Sequence, residues 1–348
     1  MALTFIGTTF PTTEPYGPSE IETLKIIQLQ IEEQFPKDNN LLISLTWFGP
    51  QFDNDYWQQI EDFSKSRVKF DNLFLLATVD PPMITVTDIQ QIKMLTDVLH
   101  VYLLGNFDSP HAFNFFAPVI TKNFKYYTDD ELLLKHCRYR YISYNRKPKP
   151  HRIQLVNMLY DQKLDPMGII TLGKDESNIH NQNHPHKYIS LGEQQEDYID
   201  RGNHPAHWKF GIPLDNFSLH RLDLWQESFL FVAGATEANP VNDLFCQQDT
   251  FKPMLGLRPF VINGSQKTYH WLKYHGFQTF NDYWPHIDIE SGDVQETIVL
   301  VIKFLATKNT DELLNMYQDM LPRLHHNKNR FFEFAKEQQY KINHLFKE

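Results

Sequence analysis

Short apolar runs closed by glycine, proline or asparagine recur along this chain. Residues 41–48 form one run, closed by Gly49-Pro50; 73–79 form a second, stopped by Asp80-Pro81-Pro82; 100–104 form a third, closed by Gly105-Asn106. Continuous runs of this length predict strands buried on both faces. Helical spacing fills the intervals at 56–63 and 87–96, with Thr87 as N-cap. The second half repeats the alternation. Strands are predicted at 140–143, 168–172, 225–233 and 260–262, and helices at 151–162, 297–305, 311–320 and 329–346. Leu155, Val156 and Leu159 mark the buried side of the first of these helices. Phe331, Phe334, Ile342 and Phe346 mark that of the last. Strands alternating with helices predict α/β architecture with mostly parallel sheets.

The segment 246–264, CQQDTFKPMLGLRPFVING, adds chemistry to the pattern. It reads as a helix running into a buried strand that stops at Asn263-Gly264-Ser265. Gln248, Asp249 and Lys252 share helical spacing, opposite an apolar face of Phe251, Met254 and Leu255. Open α/β sheets take ligands at the carboxyl edge of their strands. The plain alternative is an ordinary helix–strand unit with a solvated lysine. A second polar segment, 144–152, places Arg146, Lys147, Lys149, His151 and Arg152 between a predicted strand and a helix N-terminus. The free N–H groups and positive dipole end there suit a phosphate, and Arg152 could fork onto a diphosphate; a solvated basic loop is the alternative. Thr236-Glu237-Ala238-Asn239 follows another strand, and Glu237 reads either as a ribose or sugar contact or as a helix-capping acid.

At 348 residues the chain exceeds one comfortable core, so two domains are expected. The 27 Phe and 16 Tyr supply ample core mass. A formal charge of −10 argues against broad non-specific binding to nucleic acid, leaving only a local basic groove open. Cys137 and Cys246 lie far apart and imply no disulfide framework. The opening MALTFIGTTFP lacks a basic region followed by a long apolar core, and no 18-residue apolar run occurs. These features lead us to expect a cytoplasmic protein without a membrane span. No G-x-G-x-x-G follows a strand, which disfavours a dehydrogenase. Asp53-Asn54-Asp55 has the Asp-x-Asp form of a metal site, but too early in the chain. Histidines 180, 184, 186, 204 and 207 lack the spacing zinc requires, so no metal is expected.

The segment 245–264 resembles the nucleotide-sugar segment of the fucosyltransferase-like glycosyltransferases. A helix with a Glu-Lys pair there precedes a proline-containing buried strand ending in glycine. The phage and bacterial members read Ser-Glu-Lys-Thr-Phe-Lys-Pro, and this chain has Gln247-Gln248-Asp249-Thr250-Phe251-Lys252-Pro253. The Thr-Phe-Lys-Pro half matches. The Glu-Lys half, which in the family holds the donor ribose and diphosphate, is Gln248 and Asp249 here. Lys252, one turn later, is the substitute cation. Asn145 with Arg146 and Arg152 is similar to the family's Asn…Arg junction on the diphosphate, and Thr236-Glu237 is similar to its Thr-Glu pair.

The resemblance spans roughly residues 139–285. It implies a GT-B fold of two facing Rossmann-like domains with C-terminal helices. Residues 1–138 would form the acceptor side, 139–305 the donor-binding domain, and 306–348 the C-terminal helices. The last helix would either cross back to the first domain or pack on its own. The implied activity is metal-independent transfer of a sugar from a GDP- or UDP-sugar to an acceptor hydroxyl, cations stabilising the leaving diphosphate. The implied donor site is Asn145, Arg146, Arg152, Glu237, Gln248, Asp249 and Lys252. The base would follow a strand of the first domain, from Asp53, Asp55, Asp80, Asp108 and His111; Asp53, in the loop after the first buried strand, is preferred. The acceptor is a glycan or, alternatively, hydroxymethylated DNA, for which Lys65, Arg67, Lys69, Lys122 and Lys125 could line a groove. These expectations place the chain in a bacterium or a virus-infected host cell. A non-catalytic binding protein on the same scaffold is the third reading.

Overall fold

The computed structural model describes residues 3–7, 17–45, 61–63, 65–66, 69–78, 90, 92–104, 112–114, 116–145, 149–172, 219, 221–235, 248–290 and 293–345. It is an α/β protein with two parallel sheets and C-terminal helices, and it divides into two compact units. The first comprises Met1–Val119 with Ala335–Glu348, and the second Ile120–Phe334.

The first unit holds a five-stranded sheet in sequence order: β1 (Thr4–Gly7), β2 (Asn40–Leu45), β3 (Asn72–Thr78), β4 (Leu99–Leu104) and β5 (Ala112–Phe113). Each neighbouring pair is parallel. Period-two alternation sends Leu41, Ile43, Leu73 and Leu75 to one face, under Phe63, Phe70, Ile92 and Leu95. Leu42, Phe74 and Leu76 go to the other, under Ile27 and Ile31 of helix α1 (Gly17–Gln34) and under Ile342. Both faces are therefore covered, which is why these strands read as unbroken apolar runs. Asn40 and Asn72, register partners at the strand starts, are buried and hydrogen-bonded side chain to side chain (3.0 Å).

The second unit opens with α2 (Phe116–Asn123), whose last residues it holds, and α3 (Asp129–Leu132), closed by a Thr128–Glu131 capping box. Its sheet contains β6 (Tyr139–Asn145), β7 (Gly168–Leu172), β8 (Ser228–Gly234) and β9 (Phe260–Asn263), in the spatial order β7-β6-β8-β9 and parallel throughout. The helices are α4 (Pro150–Asp161), α5 (Leu222–Glu227), α6 (Gln248–Leu255), α7 (Lys267–Tyr274), α8 (Val294–Ala306) and α9 (Thr310–Asn343). The α9 residues from Ala335 onward belong to the first unit. There Gln30 Nε2 donates to the Ile342 carbonyl (2.8 Å) and Asn114 N–H donates to Gln338 Oε1 (2.8 Å).

Three boundaries differ from the sequence reading. The apolar run 225–233 is split: Trp225 belongs to α5 and the strand begins at Ser228, whose Oγ donates to the Leu224 carbonyl at the junction (2.8 Å). An apolar run alone cannot distinguish a buried strand from a buried helical turn. Tyr144 and Asn145, expected in a loop, are the last residues of β6. The expected helices 311–320 and 329–346 are one helix, α9, through Pro322. Pro322 removes one intrahelical hydrogen bond, to the Gln318 carbonyl. Both residues are exposed, so water can serve that carbonyl, while Met320, Leu324 and Phe331 on the buried side hold the helix together.

Candidate functional site at the carboxyl edge of the second sheet

Among the described strands the order of this sheet reverses once. From β6 the chain moves outward to β7; it returns to the other side of β6 as β8 and then moves outward to β9. Right-handed crossovers taken in opposite directions carry their helices to opposite faces of the sheet. Accordingly, α4 packs with α8, while Phe251 of α6 meets Phe277, Phe331 and Phe334. A crevice between the ends of β6 and β8 is the place where open α/β sheets hold ligands. The first sheet shows no such reversal among its described strands.

The polar groups at the ends of these strands are densely tied. Asn145 ends β6 fully buried, its N–H donating to Thr171 Oγ1 (3.0 Å) and its Nδ2 to Ser143 Oγ (3.0 Å). Its Oδ1 is buried and has no hydrogen-bond partner among the described residues. Lys149, extended as the residue before a proline prefers, precedes Pro150 at the first position of α4. No side chain caps the helix there. One residue on, the His151 ring donates from Nε2 to the Ala235 carbonyl (2.9 Å). Arg152, 5% exposed, donates from Nη2 to the carbonyls of Gly234 (2.8 Å) and Ala235 (2.9 Å), and from Nε to Ala235 (3.2 Å). The His151 carbonyl in turn accepts from Gln295 Nε2 (2.8 Å) and Asn263 Nδ2 (3.3 Å), so the starts of α4 and α8 and the end of β9 meet at one peptide.

Gly234 makes this closeness possible. A Cβ there would stand 3.0 Å from Asn145 Oδ1 and 3.2 Å from Arg152 Nε. On the outer side, Tyr269 Oη accepts the Ile262 N–H (2.7 Å), covering the edge of β9, and burial pushes that phenol well above its ordinary range.

Helix α6 packs on β8. Lys252 is 2% exposed and pairs with Asp249 Oδ1 at 3.1 Å. Thr250 beside it is also buried.

Of the residues singled out from the sequence, Asn145 and Arg152 come together at the switch point, and Asp249 and Lys252 come together on α6. Gln248 is the first residue of α6 and its side chain lies outside the described set, as do Arg146, Glu237 and Asp53. Asp55, Asp80, Arg67, Asp108, His111 and histidines 180, 184, 186, 204 and 207 are outside it as well. Two cations suggested for a DNA groove carry carboxylate partners: Lys65 with Glu61 (2.7 Å) and Lys69 with Asp97 (3.5 Å). Gly234, Asn263, His151 and Gln295 were not foreseen in their positions. Gly234, closing an apolar run, carried a readable strand-end signal; Gln295 carried none. Among the described residues no helix is long and apolar enough to cross a membrane, and no cluster of His, Cys, Asp and Glu could hold a metal ion. No protein-family model, curated protein or solved structure matches the chain.

Proposed function

We propose that the second unit binds the diphosphate of a nucleotide sugar at the carboxyl ends of β6 and β8, and that the chain is a metal-independent GT-B glycosyltransferase. The observation that carries this reading is the buried Asn145 carboxamide oxygen, without a partner among the described residues, beside Arg152 at the point where the order of the described strands reverses. An unsatisfied buried polar atom in a folded protein calls for an explanation, and a ligand hydrogen bond is one. Whichever way the amide is turned, it keeps one group for a ribose hydroxyl or a phosphate oxygen.

The charge at this edge suits an anion. The N-terminus of α4 bears the equivalent of roughly half a positive charge, and Arg152 adds a full one. Its side chain is committed to the Gly234 and Ala235 carbonyls, so it acts chiefly as a fixed positive field and as a clamp on β8. Preorganised charge of this kind stabilises a leaving diphosphate without reorganising during the reaction. Sugar transfer, rather than nucleotide binding alone, rests on the resemblance of segment 245–264. In that reading Asp53 of the first unit deprotonates the acceptor hydroxyl.

The test is a donor-hydrolysis screen over UDP-, GDP-, ADP- and dTDP-sugars, with calorimetric titration of the matching diphosphates. One donor should be hydrolysed and its diphosphate bound. Arg152→Lys, which keeps the charge but loses the fork, should weaken binding at least about tenfold. Circular dichroism confirms that the variant is folded. Failure to bind or hydrolyse any nucleotide refutes the reading.

A further inference from the structure

The surroundings of the Asn145 amide fix which way it is turned. The residue closes β6 fully buried. Its Nδ2 donates to Ser143 Oγ at 3.0 Å and lies 3.5 Å from the Ser143 carbonyl oxygen. Turning the amide over would set Oδ1 against that carbonyl and aim an N–H pair toward a guanidinium. A carbonyl only accepts and a guanidinium only donates, so both ends of the amide favour the same orientation. Oδ1 therefore faces the Arg152 side. It stands 3.0 Å, and Arg152 Nε 3.2 Å, from the point where a Cβ on Gly234 would be. Arg152 Nε and Nη2 nonetheless donate to the carbonyls of Gly234 and Ala235, and Oδ1 keeps no hydrogen-bond partner among the described residues. The orphan is an acceptor, and what it lacks is a donor.

We infer that Asn145 Oδ1 accepts from a ribose hydroxyl of the bound nucleotide, and that the site thereby selects ribonucleoside diphosphates over their deoxy forms and over inorganic pyrophosphate. This inference rests on reading the ends of β6 and β8 as a diphosphate site. An ionised phosphate oxygen only accepts, so it cannot satisfy Oδ1; the phosphates belong with the positive charge of Arg152. A ligand ammonium would meet that same charge and be repelled. A neutral donor is left, and the ribose hydroxyls are the neutral donors that a nucleoside diphosphate carries nearest its phosphates. A buried acceptor without a partner costs free energy, which the hydroxyl recovers on binding and a deoxy ligand leaves in place. The two side chains thus divide the recognition: Arg152 supplies a charge that any diphosphate meets, and Asn145 tests for the ribose.

The experiment titrates the full chain calorimetrically with UDP, GDP and ADP, with the 2′-deoxy and 3′-deoxy forms of each, and with inorganic pyrophosphate. The wild type should bind one ribonucleoside diphosphate best and lose about tenfold in affinity for at least one of its deoxy forms. Pyrophosphate should bind more weakly than the ribonucleotide. Asn145→Ala should bring the ratio of ribo to deoxy affinity close to one. Asn145→Asp, which keeps an oxygen in the same place, should preserve that ratio and weaken every diphosphate, because a carboxylate beside Arg152 repels the phosphates. Circular dichroism checks that each variant is folded, and the wild-type ratio stands as a test should neither fold. A purely structural Asn145 would lower affinity for both forms together and leave their ratio unmoved. A wild type that binds a diphosphate and its deoxy forms equally, or a ratio unchanged in folded Asn145→Ala, overturns the hydroxyl contact while leaving the diphosphate site intact. No diphosphate binding by the wild type overturns both.

Discussion

Arg258 carries its charge in the interior of the second unit. It is 1% exposed, and burial pulls its guanidinium below the usual range. No carboxylate pairs with it among the described residues; five oxygens hold it instead. Nε donates to the carbonyls of Trp225 (3.1 Å) and Ser228 (3.0 Å). Nη1 donates to Leu132 (2.7 Å), Leu257 (2.8 Å) and Tyr317 Oη (2.9 Å), and Nη2 to Trp225 (2.9 Å). The Tyr317 ring lies 5.2 Å from the guanidinium carbon. Arg258→Met keeps an unbranched apolar stem and removes every donor. At about 1.5 kcal/mol for each of the five oxygens it holds, the loss is roughly 8 kcal/mol. Leaving the guanidinium in water returns several kcal/mol of desolvation. The expected net destabilisation is about 3–5 kcal/mol, the range for breaking a buried charged contact. Urea unfolding followed by tryptophan fluorescence should show the midpoint falling by about 1–2 M with the slope unchanged. Arg258 precedes β9, at the edge of the sheet opposite the crevice, so diphosphate affinity of the folded variant should stay the same. A loss below about 1 kcal/mol would refute the reasoning, since it would mean that carbonyl capture does not hold this junction.

Other expectations follow from the same geometry. A Cβ on Gly256 would overlap the buried Trp225 indole, whose Nε1 donates to the Gly256 carbonyl (2.7 Å). Gly256→Ala should therefore cost about 3 kcal/mol and lower the melting temperature of the second unit by on the order of 10 °C. Gly234→Ala should cost less, about 1–2 kcal/mol, because its neighbours lie at 3.0 and 3.2 Å, yet weaken diphosphate binding in calorimetry by displacing Asn145 or Arg152. Burial pushes the Cys137 thiol up to about 11. An unfolded thiol ionises near 8.5, so the raised folded value gives stability that is complete below that pH and lost as pH rises to about 11. Urea midpoints at pH 8 and 10.5 should fall more for the wild type than for Cys137→Ala.

Much of the fold was legible because parallel strands covered on both faces appear as unbroken apolar runs. Strand β7 was expected at 168–172 and is Gly168–Leu172. Where the reading failed, local pattern met a tertiary decision. Trp225 looked like strand because an apolar residue beside an apolar run carries no marker for the turn that Ser228 makes. Residues 311–320 and 329–346 were read as two helices, whereas α9 runs through Pro322 because Pro322 and Gln318 face water and the opposite side is buried. The site divides the same way. Asn145 and Arg152 could be singled out because strand end, basic loop and helix start are neighbours in sequence. Gly234, 82 residues from Arg152, and Gln295, 144 from His151, could not be joined to them. Their meeting depends on strand order, and the reversal between β6 and β8 is not encoded in any single segment.

The most direct test of the central claim is a crystal structure of the protein with the nucleoside diphosphate that binds most tightly. The account expects a phosphate or ribose oxygen within about 3.2 Å of the Asn145 carboxamide, and the diphosphate over the N-terminus of α4. A nucleotide bound away from the ends of β6 and β8, with the Asn145 amide still without a ligand contact, would contradict it.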